Sequence, residues 1–534
     1  MGGVISAPQP LAVEEGAKVL ANGGNAFDAA LTAAAVQFLI DPHSCGIGGY
    51  LVMTGMTADG RQQIVDAPAL AGERTSPKMW EDIVIGPNPD GWGFFLEGKV
   101  NEDGYQSICI PSMVRGMESI HKLHCTRSWR EILSPAIRIA NEGWTVMAHM
   151  ANRWKDPPQF YESSSLRQKL DVSKETQRIY LKDDGQPRDI GEILRNPDYG
   201  ASLQTLADEG PDSFYTGSLS KKINDDLESN QAWVTRQDLS EYRSRLEQPV
   251  VVNYRGYQIV TNQLPHGGPS LAQMFRILER FEPTQYAHNG PEYILLLARV
   301  MKAAFADRNQ YHADPDHQDV PLDWLLSDER TQYWHDQVAA GANINVGRMQ
   351  TESPDTTHVS VLDDQGNCAS LTHSLGSSSG VITPGWGFMY NNSMVNFYPY
   401  SGHANSILPG KGRTTGMTPT LVLKDGKPVL VIGAPGATRI ITSTLQVIVN
   451  HLDWKMPISE AVVAARMDCQ ADIIKCHARI PEFVCEEIRK QHECQRLARS
   501  HGGFALVHAV AQDPRTGALS GGADTGSDGM AVTV

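Results

Sequence analysis

The sequence predicts an α+β fold in which stacked, mainly antiparallel sheets are covered by helices on both faces. Two observations carry the prediction. Hairpin patterns, each a pair of apolar-rich runs joined by a glycine-containing turn, occupy both ends of the chain. Residues 113–340 between them are mostly helical in spacing. At 534 residues the chain is far above the size at which burying a core is difficult.

The elements follow in order. Residues 11–20 have helical spacing and stop at Gly23-Gly24, after which Asn25 with Asp28 caps an Ala-rich helix that ends before Asp41-Pro42. Beyond Gly46-Ile47-Gly48-Gly49 an apolar strand starts at Tyr50, turns at Ala58-Asp59-Gly60 and returns through residues 63–65. One strand pair is expected around residues 249–260. In the last third, hairpins are predicted over residues 357–372, 419–433 and 505–521, with helices at 443–452 and 458–466.

The net charge of -15 argues against nucleic acid or an anionic membrane as partner, because phosphate binding needs clustered Lys and Arg. The most apolar helix, residues 27–40, is interrupted by Asp28, Thr32 and Gln37 and is too short to span a bilayer. No basic and apolar leader opens the chain, so the expectation is a cytoplasmic protein with reduced thiols.

Three local patterns suggest chemistry. Gly376-Ser377-Ser378-Ser379-Gly380 fits a nucleophile elbow, but Val381-Ile382-Thr383-Pro384-Gly385 cannot cleanly start the helix an elbow needs, so a Gly/Ser loop is expected. Cys469, Cys476, His477, Cys485, His492 and Cys494 crowd the C-terminal region without close paired spacing. With Cys485 and Cys494 read onto one helix, they are expected to be buried thiols rather than a metal site. The third pattern is a polar loop, residues 341–355, that runs into a strand beginning Thr356-Thr357-His358. A threonine hydroxyl is a poor nucleophile without a base beside it, and an N-terminal threonine carries one in its own α-amine. Cutting the bond between Asp355 and Thr356 would create that terminus. By residue type alone, β-propensity and hydrogen bonding are the commoner reason for two threonines at a loop-to-strand junction, and Asp355 reads as a solvated loop carboxylate.

Over nearly its whole length the sequence resembles the gamma-glutamyltransferase family of N-terminal-nucleophile hydrolases. The resemblance rests on Gly23-Gly24-Asn25-Ala26-Phe27-Asp28-Ala29-Ala30 and Gly46-Ile47-Gly48-Gly49, then Ser213-Phe214-Tyr215-Thr216-Gly217, Asn253-Tyr254-Arg255-Gly256-Tyr257 and Ala306-Asp307-Arg308. It continues in order through Thr356-Thr357-His358, Met417-Thr418-Pro419-Thr420 and Gly433-Ala434-Pro435-Gly436-Ala437-Thr438-Arg439. It implies an αββα sandwich and a precursor that cuts itself into a large piece, residues 1–355, and a small one, residues 356–534, which stay associated. Thr356 would be the nucleophile, first on its own upstream carbonyl and then on substrate. Ser374 stands where the family has a threonine that hydrogen-bonds the nucleophile's amine. Gly436 and Ala437 match its oxyanion-hole pair, where alanine is tolerable because the donors are backbone N–H groups.

The substrate pocket departs from the family. The family's arginine for the glutamyl α-carboxylate has no counterpart between Arg61 and Arg74, where the chain reads Val65-Asp66-Ala67-Pro68-Ala69. Its Ser-Ser pair before Met is Thr415-Gly416, and the glutamine and aspartate that hold the α-amine are Ser393 and Asn396. Losing a bidentate arginine and a counter-charge weakens recognition of a zwitterion by several kcal/mol. Arg413 and Arg115 are candidates for a substrate carboxylate, each with a structural ion pair as the alternative. The expectation is a threonine amide hydrolase acting on a small-molecule amide without metal or organic cofactor, and able to form a homo-oligomer. Its rivals are a true gamma-glutamyl hydrolase or transpeptidase and a scaffold that binds amides without turnover.

Overall fold

The computed structural model describes residues 2–88, 93–158, 160, 162–347, 355–498 and 503–534. The predicted processing loop, residues 341–355, therefore lies partly outside the described residues. Thirteen strands form the two main sheets: β1 (Gly3–Ala7), β2 (Tyr50–Met56), β3 (Gln62–Ala67), β4 (Arg245–Glu247), β5 (Val250–Tyr254), β6 (Tyr257–Thr261), β7 (Thr357–Asp363), β8 (Cys368–Ser374), β9 (Thr420–Lys424), β10 (Lys427–Gly433), β11 (His508–Gln512), β12 (Leu519–Ala523) and β13 (Met530–Thr533). One sheet has the order β13-β1-β7-β8-β2-β3-β4 and the other β12-β11-β10-β9-β6-β5. Every pairing within them is antiparallel. Strands that pair directly are far apart in sequence, as β1 with β7 and β8 with β2 are, so both ends of the chain build one sheet.

Side-chain alternation sorts the strands into layers. In β7, Val359 and Val361 face one helical layer while Leu362 faces the second sheet. The sheet-to-sheet layer is thin and partly polar. Ser6, Thr54, Ser360 and Ser370 each donate across it to a carbonyl of the opposite sheet or the residue leading into it, Gly522, Pro419, His508 and Ile432, at 2.8–3.0 Å. Small hydroxyl side chains suit this layer because each satisfies its buried polar atom on the facing backbone without forcing the sheets apart.

Helices α1 (Pro10–Ala21) and α2 (Ala26–Ile40) lie over the first sheet. Asn25 caps α2 as expected, accepting from the Phe27 and Asp28 N–H groups at 2.9 Å while Asp28 accepts from the Asn25 N–H. All of α2 up to Leu39 is buried, which explains its apolar composition on every face. Helices α3 (Gly268–Leu278), α4 (Pro291–Tyr311) and α5 (Arg439–Leu452) cover the second sheet. The result is the αββα sandwich that the hairpins and the resemblance predicted. Two local expectations are corrected. The helix predicted over residues 458–466 ends at Val463, because Arg466 turns away to pair with Asp524. Cys494 is not helical but lies in the short strand Cys494–Arg496, parallel to Ile474–Cys476.

Among the described residues no helix is long and apolar enough to cross a membrane. The Gly376–Gly380 stretch is a loop, as expected, with Ser378 at φ 60 and its hydroxyl 3.1 Å from His43 Nδ1 in a buried setting.

Candidate active site

Strand register places the candidate residues. Thr357 pairs with His373 and Ser374 with Tyr50, so Thr356, Ser374 and Tyr50 converge at one end of the first sheet. Gly436 and Ala437 follow β10 in the middle of the second sheet and precede α5. The two strand ends meet there, and an open cleft of about 880 Å³ is lined by Asp355, Thr356, Gly436 and Ala437.

Thr356 is almost buried. Its Oγ1 lies 2.7 Å from the Asp355 carbonyl oxygen and 3.2 Å from Ser374 Oγ, two acceptors that share its one proton. Ser374 Oγ donates to the same Asp355 carbonyl at 2.7 Å and accepts from the Gly376 N–H at 2.8 Å. Ser374 thus holds the Asp355 carbonyl, and the amine contact that the resemblance implies for it would concern an N-terminal Thr356. The reading of Asp355 as a solvated loop carboxylate is corrected. Asp355 is buried, and its carboxylate pairs with Arg153, which also donates to Ser44 Oγ at 3.2 Å and lies 3.8 Å from Asp41. Burial raises the Asp41 carboxyl pKa, and the Arg153 charge opposes that rise. Arg153 lies 202 residues before Asp355, and nothing in the sequence near the junction points to it.

The expected oxyanion pair is built from strained backbone. Gly436 has φ 134 and Ala437 φ 57, the latter in the left-handed region that disfavours a side chain. Among the described residues neither N–H donates to the protein, so both remain available to an oxygen in the cleft. Gly416 lies against this loop: a Cβ there would come 2.2 Å from the Ala437 carbonyl oxygen. The serine that the family carries at this position is therefore excluded by the present course of the loop.

A narrow recess beside Thr356 is lined by Tyr50, Asn396, Arg413, Thr415, Gly416 and Ala437. Four of the five predicted substrate residues are brought together there. Ser393 is the exception: it is fully buried on the short helical turn Ser393–Asn396, its N–H held by Asn391 Oδ1 at 3.1 Å, and it does not line the recess. Arg413 is buried, lies over the Tyr50 ring at 4.6 Å, donates to the Tyr50 hydroxyl and to the Thr414 carbonyl, and leaves its Nε without a partner among the described residues. Among the described residues no carboxylate side chain lines the recess. Arg115, the other anion candidate, stacks on Tyr215 and pairs with Glu118 and Asp212, so it serves an ion pair away from the site.

Sequence reasoning also missed what fixes Thr415. Its Oγ1 lies 2.8 Å from His266 Nδ1, and His266 Nε2 lies 2.9 Å from Asp66 Oδ1, all three residues buried. With Nε2 donating to the Asp66 carboxylate, the ring is fixed and its Nδ1 holds the Thr415 hydroxyl at the recess wall. His358, the other histidine near the junction, faces the second sheet. Its ring nitrogens lie 2.9 Å from Thr372 Oγ1 and 2.8 Å from Ser360 Oγ, and burial holds its pKa well below the usual histidine value.

The gamma-glutamyltranspeptidase family model matches residues 12–534. The chain belongs to this family. Its relatives include an acylase ACY 1 proenzyme from Pseudomonas sp. (strain V22), 33% identical over all of this chain and 93% of that protein. A glutathione hydrolase proenzyme from Bacillus subtilis (strain 168) is 30% identical over all of this chain and 91% of that protein. In fold, a cephalosporin acylase from Bacillus halodurans superposes with a TM-score of 0.88 at 24% identity, covering 99% of this chain and 95% of that one. The Pseudomonas and Bacillus subtilis relatives are both named proenzymes, and as a gamma-glutamyltranspeptidase-family member the chain is an N-terminal-nucleophile amidohydrolase or acyltransferase. In this family setting, the convergence of Thr356, Ser374 and the Gly436–Ala437 loop on one cleft marks the candidate catalytic centre.

Proposed function

We propose that the chain cuts itself between Asp355 and Thr356, and that the new N-terminal threonine then hydrolyses a small amide whose acyl group ends in a single carboxylate. The observation that carries this reading is the placement of the Thr356 hydroxyl between the Asp355 carbonyl and a recess holding a buried guanidinium but no carboxylate.

In the first stage Thr356 Oγ attacks the Asp355 carbonyl carbon, with Ser374 Oγ donating to the carbonyl oxygen as negative charge develops. The C–N bond breaks as the nitrogen takes up the hydroxyl proton, giving an ester. Water then hydrolyses the ester, freeing the Asp355 carboxyl and the Thr356 hydroxyl beside the amine released in the shift, and leaves fragments 1–355 and 356–534 interleaved in one sheet. In the second stage the α-amine takes the Thr356 hydroxyl proton as Oγ attacks the substrate carbonyl. The Gly436 and Ala437 N–H groups receive the oxyanion, and the proton passes to the departing amine. Water, activated by the same amine, resolves the acyl-enzyme.

The acyl selectivity follows from charge. A gamma-glutamyl group brings an α-carboxylate and an α-ammonium into the recess. Arg413 offers a partner for the first, but the second meets no carboxylate and would be desolvated without compensation. A glutaryl group keeps the carboxylate and lacks the ammonium. The recess holds only about 10 Å³ in the uncut chain, so an acyl chain enters by moving the Tyr50–Arg413 contact aside. The name of the acylase relative agrees with this reading, and that of the glutathione hydrolase relative marks its rival.

The test is direct. Purified protein should run as two bands on a denaturing gel and as one species under native conditions, with the smaller band beginning Thr-Thr-His-Val. Thr356→Ala should leave a single chain. A different N-terminus on the small fragment would remove Thr356 from the mechanism.

A further inference from the structure

Away from the cleft, the chain brings together three cysteines that its linear spacing keeps apart. Cys476 ends the short strand Ile474–Cys476, Cys485 lies on the helix Glu482–Arg489, and Cys494 opens the strand Cys494–Arg496. The parallel pairing of the two strands sets Ile474 opposite Cys494, and the helix between them folds over the pair. All three sulfurs lie within 4.8 Å of one another, and those of Cys476 and Cys494 are 3.6 Å apart. Cys476 and Cys485 are fully buried and Cys494 is 7% exposed.

We propose that Cys476, Cys485 and Cys494 form a tri-thiolate site for one zinc ion, a role distinct from the amide chemistry. The geometry is close to what zinc needs, since Zn–S bonds of about 2.3 Å in a tetrahedron put neighbouring sulfurs ~3.8 Å apart. A disulfide would use two of the sulfurs and leave the third buried beside it with nothing to bind, whereas a metal uses all three. Each thiol loses its proton as its sulfur ligates, so binding one Zn²⁺ releases three protons. The complex then carries a single negative charge, near the Arg489 guanidinium, whose Nε donates to the Cys494 carbonyl at 3.0 Å. The small exposure of Cys494 leaves a side from which the ion enters and a solvent molecule completes the coordination. The ion would staple two strands and a helix that otherwise make a small sheet at the edge of the second core, against α5. Gln446 of α5 holds that sheet through Met467, accepting from its N–H at 2.9 Å and donating to its carbonyl at 2.7 Å. The equal spacing, Cys-x₈-Cys-x₈-Cys, is visible in the sequence but gains meaning only from the fold.

The experiment uses the full chain, reduced and stripped with a chelator, and titrated with Co²⁺ and then Zn²⁺. One Co²⁺ per chain should give a thiolate-to-cobalt charge-transfer band that Zn²⁺ abolishes. Cys485→Ser, with an unchanged far-ultraviolet circular dichroism spectrum, should lose the band. Because a misfolded variant would also lose the band, the wild-type chain supplies a second readout: Zn²⁺ should slow the reaction of its Cys494 thiol with a thiol reagent at least tenfold, and the chelator should restore it. Absence of the band and of the protection in the wild-type chain overturns the proposal. So does a band that survives in folded Cys485→Ser, or a Cys476–Cys494 disulfide in the protein as purified.

Discussion

The Ser374 hydroxyl donates to the carbonyl oxygen of Asp355 at 2.7 Å, on the bond that the proposed self-processing breaks. A donor aimed at that oxygen stabilises the tetrahedral intermediate more than the resting amide, so its removal should act on rate. Ser374→Ala is expected to slow conversion to two bands by about 10²–10³-fold, the usual cost of one oxyanion donor. Ser374→Thr, which keeps a hydroxyl, should process at near the wild-type rate. Equal processing half-times for the alanine variant and the wild type would leave Ser374 with a packing role only.

Arg413 should govern which acyl group is accepted without governing self-cleavage. In processed wild-type protein, kcat/KM for a glutaryl anilide should exceed that for the gamma-glutamyl anilide. Arg413→Leu should lower the glutaryl value by about 100-fold, corresponding to loss of a charge-assisted hydrogen bond of 1.5–3 kcal/mol. The two-band pattern should persist in that variant. Glutamyl turnover above ~10⁴ M⁻¹s⁻¹ would show that other residues hold the α-ammonium.

Gly416 and Ala437 are locked to one another, and each predicts the effect of changing the other. A side chain at residue 416 meets the Ala437 carbonyl, so Gly416→Ser should cost about 1–3 kcal/mol by overpacking and disturb the oxyanion loop with it. Ala437 already sits at φ 57, where glycine is relaxed. Ala437→Gly should therefore be neutral or stabilising by up to about 1 kcal/mol, against the 0.5–1 kcal/mol loss expected for glycine in regular structure. Denaturant midpoints of both variants decide the matter, and a destabilised Ala437→Gly would mean the loop is not strained as described.

Buried neutral histidines should make the fold acid-sensitive. His373 and His508, both fully buried, have pKa values lowered to about 3, chiefly by burial, and His373 Nε2 lies 2.8 Å from Gln37 Oε1. Unfolding returns each to about 6.5, so the unfolded chain binds more protons below that pH. Their contribution is complete above about 6.5 and is lost as the pH falls towards about 3. Between about pH 6.5 and 5, stability should fall by about 1.4 kcal/mol per pH unit for each histidine that fully protonates on unfolding. Urea titrations across that range measure the slope, and a flat profile would contradict neutral burial. His373→Gln should make it shallower.

The sequence by itself determined the elements and the chemistry's starting point. The hairpins over residues 357–372, 419–433 and 505–521 and the Asn25–Asp28 cap are local signals. Each depends on φ/ψ preference and side-chain period within a few residues, and each was found where expected. Thr356, Ser374, Gly436 and Ala437 were named because ordered motifs surround them. Only the tertiary structure decided what those residues touch. Arg153 on Asp355, Tyr50 on Arg413 and His266 between Asp66 and Thr415 join positions 149 to 363 residues apart. No periodicity records such pairs, because they are set by strand order and by which ends of the sheets meet. The same reason removed Ser393 from the recess and brought Cys494 beside Cys476: a helix misread as continuous hid a parallel strand pair, and strand pairing is a non-local choice made by packing.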